Sequence, residues 1–121
     1  VREVLGVESA WRLSEALAAG VRVCLTSDAP VLPPDWRREI AAADAWMGPT
    51  DDPRARVEGL LRCYTVNPAW QDGVDWKGTL GKGMAADLCV LAADPLELTA
   101  AELPDVDVDM TVVDGRVVFE R

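Results

Sequence analysis

The chain has 121 residues, 50% of them hydrophobic and 27% charged, with a net charge of −9 at pH 7. This length suits one modest domain with a core and excludes a complete (β/α)8 barrel, which needs roughly 250 residues. The apolar content excludes a disordered chain, and the acidic balance argues against nucleic acid or an anionic membrane as partner.

In chain order, Ser9 is the expected cap of a helix running to about Ala19, with Leu13, Ala16 and Leu17 as its apolar stripe and Gly20 as its stop. Val21–Thr26 is a predicted strand. Only Arg22 interrupts its apolar run, as in a strand covered on both faces. Helix, glycine, strand is the rhythm of a parallel α/β sheet. Prolines 30, 33 and 34 make Ala29–Asp35 an extended loop, because proline breaks both helix and ladder bonds. Asp35 then caps a helix carrying Trp36, Ile40, Ala43 and Met47 on one side, which Gly48-Pro49 ends. Asp52-Pro53 starts another, with Val57, Leu60, Leu61 and Tyr64 as its buried stripe, and Asn67-Pro68 is expected to end it.

The character changes near residues 70–77. Glycines 73, 78, 81 and 83 cluster there, Leu88–Ala92 reads as a short strand, and Glu97–Asp109 reads as a polar, acidic connection. Met110–Val113 and Arg116–Glu120 read as a hairpin, since Asp114-Gly115 suits the positive φ angles of a type I′ turn. The division expected is α/β in residues 1–70 and β-rich in 71–121.

Thr26-Ser27-Asp28-Ala29-Pro30 puts a carboxylate directly after the predicted strand, the place where parallel α/β barrels do their chemistry. Turn capping is the plainer reading of the same residues. Trp36 and Trp46 offer an entrance for substrate, although Trp36 also fits a helical core stripe. Lys77 and Lys82 lie near glycines without the spacing of a phosphate loop. Asp105, Asp107 and Asp109 lack the glycine and closing glutamate of a calcium loop and fit solvent-facing strand positions. The cysteines Cys24, Cys63 and Cys89 have no zinc-site spacing, and the chain has no histidine. Cys24 and Cys89 sit in strand patterns and read as small buried hydrophobes. The absence of a signal peptide or spanning apolar run, with these thiols, leads us to expect a reducing cytoplasm. The chain opens at Val1 rather than methionine, which fits a piece of a longer protein.

Four motifs in order resemble the C-terminal part of the amidohydrolase superfamily, in the branch called amidohydrolase family 3 (YtcJ-like and N-acyl-D-amino-acid-deacylase-like). They are Gly20-Val21-Arg22-Val23 leading to Ser27-Asp28-Ala29-Pro30; Tyr64-Thr65-Val66-Asn67-Pro68-Ala69; Gly78-Thr79-Leu80-Gly81-Lys82-Gly83 with Ala86-Asp87-Leu88-Cys89-Val90-Leu91; and Thr111-Val112-Val113-Asp114-Gly115-Arg116-Val117-Val118. The resemblance implies an α/β fold: residues 1–70 as the last βα portion of a metal-dependent (β/α)8 barrel, and 71–121 as the C-terminal part of a small β-sandwich. Asp87 would then be a sandwich residue.

The implied activity is hydrolysis of a C–N bond in an amide or cyclic amide by metal-activated water. Asp28 would contact the metal and carry the proton, and Ser27, Ala29 and Pro30 would shape the substrate pocket. The cofactor implied is a divalent metal, one or two ions with zinc expected, whose other ligands come from histidine-bearing strands that this sequence does not contain. The partners implied are a small-molecule substrate and the remainder of the barrel, with a homo-oligomer left open. The competing expectation is a truncated relic or interaction domain without hydrolase activity.

Overall fold

A computed structural model of the chain describes residues 12–121, so the cap expected at Ser9 lies outside the described residues. The described elements are α1 (Leu13–Ala18), α2 (Trp36–Met47), α3 (Pro53–Arg62), α4 (Val66–Gln71), β1 (Leu88–Leu91), two 3₁₀ turns (Pro95–Glu97 and Ala100–Asp105), β2 (Val108–Val113) and β3 (Arg116–Glu120).

The helix ends follow from local chemistry. Gly20 has φ +74°, and the N–H groups of Gly20 and Val21 return to the carbonyls of Leu17 and Ala16. That pair of bonds satisfies carbonyls left open at the end of α1. The Asp35 carboxylate accepts from the Arg37 N–H at the start of α2, and Asp52 accepts from Ala55 at the start of α3, where Pro53 needs no donor. Asn67-Pro68 does not end α3, contrary to expectation. The helix stops at Arg62, and Asn67 and Pro68 lie in the first turn of α4, where a missing N–H costs nothing.

The largest departure from the sequence reading is at residues 97–109. Ala100, Leu103 and Val106 are buried, and their spacing of three is the repeat of a 3₁₀ turn, whose i and i+3 side chains share a face. The turn starts with a capping box in which the side chains of Thr99 and Glu102 serve each other's backbone. Ala100 and Leu103 join Ile40, Val57 and Leu60 in one core cluster. The segment expected as a polar connection therefore closes the core over α2 and α3. Arg37 ties the same layers together. Its Nε and Nη2 donate to the Asp35 carboxylate at 2.9 and 3.0 Å, and its Nη1 donates to the Val106 carbonyl.

β1, β2 and β3 form an antiparallel sheet in that order. Asp114 and Gly115 both have positive φ, as a type I′ turn requires. The Asp114 N–H donates to Asp87 Oδ1 at 2.7 Å, so Asp87 pins the hairpin turn. Of the alternating aspartates only Asp109 lies on a strand; Asp105 is in the 3₁₀ turn and Asp107 comes just before β2, and Asp107 and Asp109 pair with Arg121. Cys89 is exposed, unlike the buried hydrophobe expected of it. Its cross-strand neighbour is Thr111 on β2, and the sheet leaves that position partly open.

Candidate functional site

The site is best built from the segment that carries Asp28. Val21–Thr26 is extended but is not a strand in this structure, because no neighbouring strand pairs with it among the described residues. Nor is it covered on both faces, since Val21, Arg22 and Thr26 are exposed. It is held instead by the corner between α3 and α4. Asn67 Nδ2 donates to the Val23 carbonyl at 2.8 Å, and the Leu25 N–H donates to the Cys63 carbonyl at 3.2 Å. Leu25 packs on the core, and the Arg22 guanidinium lies 4.7 Å above the Trp70 ring.

Asn67 is the residue whose part the sequence reading missed. It is 8% exposed, and its amide satisfies a carbonyl on a segment 44 positions away. A buried amide of this kind marks a fixed geometry, since an unpaired one is costly. Its signal in the sequence was the Tyr64–Ala69 motif itself. The neighbouring Cys63 is fully shielded, and burial pushes its thiol pKa up. Tyr64 is half-buried and donates its hydroxyl to Glu39 on α2. Burial, reinforced by that bond, raises the Tyr64 pKa well above the usual phenol range.

At the far end of the segment Ser27 is half-buried and Asp28 is exposed, with φ +52°. Aspartate is among the few non-glycine residues that visit this region readily. The Asp28 N–H donates to Thr26 Oγ1 at 3.3 Å, and the Val31 N–H donates to the Asp28 carbonyl at 2.9 Å. The second bond closes a turn through Ala29 and Pro30, whose peptide bond is cis and whose side chains are exposed. Among the described residues the Asp28 carboxylate itself takes no hydrogen bond and no ion pair. It is thus not a capping group, and its oxygens stand open to an outside partner.

Two cavities lie elsewhere. One, of about 590 Å³, is bordered by α1, α3 and Val21, Arg22 and Asn67. The other, of about 550 Å³, lies between the helices and the sheet and is lined by Trp36, Leu61, Tyr64, Leu80 and Leu88. Neither lining includes Ser27, Asp28, Ala29 or Pro30. Trp36 packs against the core, whereas Trp46 is exposed. Lys77 is engaged by the Asp72 carboxylate at 2.9 Å.

The chain matches the model of the amidohydrolase family, branch 3, over residues 4–119. The chain belongs to this family. It is 36% identical over 111 residues to an N-substituted formamide deformylase from Arthrobacter pascens, covering 87% of this chain and 20% of that protein. It is 26% identical over 127 residues to YtcJ, assigned to the amidohydrolases, from Bacillus subtilis strain 168, covering 95% of this chain and 23% of that protein. A crystal structure of an amidohydrolase from Thermotoga maritima MSB8 superposes with a TM-score of 0.69 and 30% identity, over 89% of this chain and 25% of the other. The mixed helix and strand arrangement is therefore an α/β fold shared with an amidohydrolase. The chain spans a fifth to a quarter of the length of these relatives.

Toward a metal, the turn after Thr26 offers the open carboxylate of Asp28. The described residues bring no three ligating side chains together, and the sequence holds no histidine. Asp28 suits one position in a shell of oxygen and nitrogen ligands and does not make that shell. No helix among the described residues is long and apolar enough to cross a membrane.

Proposed function

We propose that this chain supplies the region around Asp28 to a hydrolase that cleaves the C–N bond of an amide or cyclic amide of a small-molecule substrate. In this reading Val21–Thr26 is the last strand of a (β/α)8 barrel, paired with strands outside this chain, and residues 71–121 belong to a small β-sandwich. The observation that carries the reading is the open Asp28 carboxylate within the stretch matched to the family. A divalent metal, zinc in our reading, would take Asp28 as one ligand and the rest from outside this chain. Such an ion lowers the pKa of bound water to about 7.

Asp28 accepts a proton from the attacking water and later delivers one to the nitrogen that leaves. A C–O bond forms, the C–N bond breaks, and the products are a carboxylic acid and an amine. A carboxylate in hydrogen-bond reach of both atoms gives general acid–base catalysis worth about 10²–10⁴-fold. Ser27, Ala29 and Pro30 flank it as substrate contacts. The name of the Arthrobacter relative supports an N-substituted amide as the substrate class.

The test is Asp28→Asn in the complete gene product, assayed on N-substituted amides. The expected result is a fall in kcat of about 10²–10⁴-fold with an unchanged circular dichroism spectrum. Turnover at the wild-type level would remove Asp28 from the reaction. A gene product with neither bound metal nor turnover would favour the non-catalytic reading instead.

A further inference from the structure

We propose that Asn67 is a positioning residue for Asp28, and that Gly78 holds the helical turn from which Asn67 acts. The inference rests on the role given to Asp28 above and adds the device that sets where its carboxylate stands.

The segment leading to Asp28 is anchored at its middle. Val23, Cys24 and Leu25 are half-buried, while Arg22 and Thr26 on either side are exposed. The Val23 carbonyl accepts from Asn67 Nδ2 at 2.8 Å, and the Leu25 N–H donates to the Cys63 carbonyl at 3.2 Å. In an extended chain the carbonyl of one residue and the N–H two residues on point to the same edge, as they do toward a neighbouring strand. Two bonds on that edge fix the segment along its length, where a slip of one residue would turn every side chain to the opposite face. Asp28 follows Leu25 by three residues, at most about 11 Å of chain, which leaves little to absorb a shift of the anchor.

Asn67 is itself held from outside. It lies in the first turn of α4, and the backbone at Gly78 sits directly against that turn. A Cβ on Gly78 would come to 2.9 Å from both the Thr65 carbonyl oxygen and the Ala69 Cβ, and to 3.3 Å from the Val66 Cα. Its φ of +92° also favours glycine. Any larger residue there must push on the turn that carries Asn67. The Tyr64–Ala69 and Gly78–Gly83 motifs thus act on one segment, the first by a hydrogen bond and the second by close packing.

The experiment uses the complete gene product and measures kcat and KM on N-methylformamide per folded molecule, with the deuterium uptake of residues 21–28 beside them. Asn67→Asp keeps the shape of the side chain but turns an acceptor toward the Val23 carbonyl, whereas Asn67→Gln keeps a donor amide. The expected result for Asn67→Asp is a kcat about 10–100-fold lower, a KM within about twofold of the wild type, and faster uptake in that stretch. Asn67→Gln should stay nearer the wild-type kcat, and Gly78→Ala should lower kcat in the same way but by less. An unchanged kcat in Asn67→Asp overturns the positioning role and leaves that of Asp28 standing. An Asn67→Gln enzyme as slow as Asn67→Asp, or a loss carried by KM, also overturns it, because Asn67 would then serve packing or the substrate. Gly78→Ala at the wild-type kcat overturns the part given to Gly78, and the whole proposal where Asn67→Asp does not fold. No turnover by the wild type overturns the amide reading and the positioning role with it.

Discussion

The core and the Asp28 loop follow opposite rules. Ile40, Val57, Leu60 and Leu103 have no exposed surface, and they come from three elements separated in sequence. Residues 28–34 are exposed throughout and are ordered by one turn and by proline. Packing fixes the first region, and backbone restriction fixes the second. Substitutions in the core should therefore register as lost stability, and substitutions in the loop as lost function. Asn67 and Leu25 are the points where the two regions meet.

The sharpest way to break this contrast is Leu103→Ala, which should lower the unfolding free energy by about 2–5 kcal/mol in a urea titration. A loss under about 1 kcal/mol would mean that the 3₁₀ turn does not close the core. Next in size is Asn67→Ala, which leaves the Val23 carbonyl without its donor and should cost about 1–3 kcal/mol. If Asp28 depends on that tether, the same variant also lowers turnover; turnover untouched would show the loop to be held independently.

The smallest effect is read by pH. Tyr64 is the chain's one tyrosine, so phenolate absorbance reports it alone. Burial and the bond to Glu39 raise its folded pKa above the unfolded value of about 10. The stability linked to the neutral phenol is then fully present below that value and is lost as pH rises through the raised pKa. A phenolate signal appearing near the ordinary value would place Tyr64 outside the packed region. Glu39→Gln should move the transition down, because it removes the carboxylate that opposes ionisation.

Elements set by their own neighbours were legible in the sequence. Asp35 and Asp52-Pro53 start helices, Gly48 ends one, and Asp114-Gly115 turns a hairpin, each through bonds within a few residues. Elements that depend on distant partners were not. Val21–Thr26 has the composition of a strand, but a strand needs a pairing neighbour, and among the described residues the segment is tied instead to Asn67 and Cys63. The burial of Leu103 was hidden by the aspartates and glutamates around it. Its signals were the Thr99–Glu102 cap and a spacing of three, which a search for helical or alternating patterns passes over. Asp28 was legible as a residue to watch. That its carboxylate stands unclaimed is a property of the folded turn, beyond what spacing conveys.

The core contact of Leu103 has a consequence for any attempt to divide this chain. The glycine-rich stretch after α4 looks like a natural place to cut, being exposed over much of its length. Yet Ala100 and Leu103, downstream of it, complete the packing around Ile40, Val57 and Leu60 upstream. A nick at that stretch should leave two pieces that stay together and can be mixed to rebuild the whole, whereas either piece made alone would carry half of a hydrophobic interface into water.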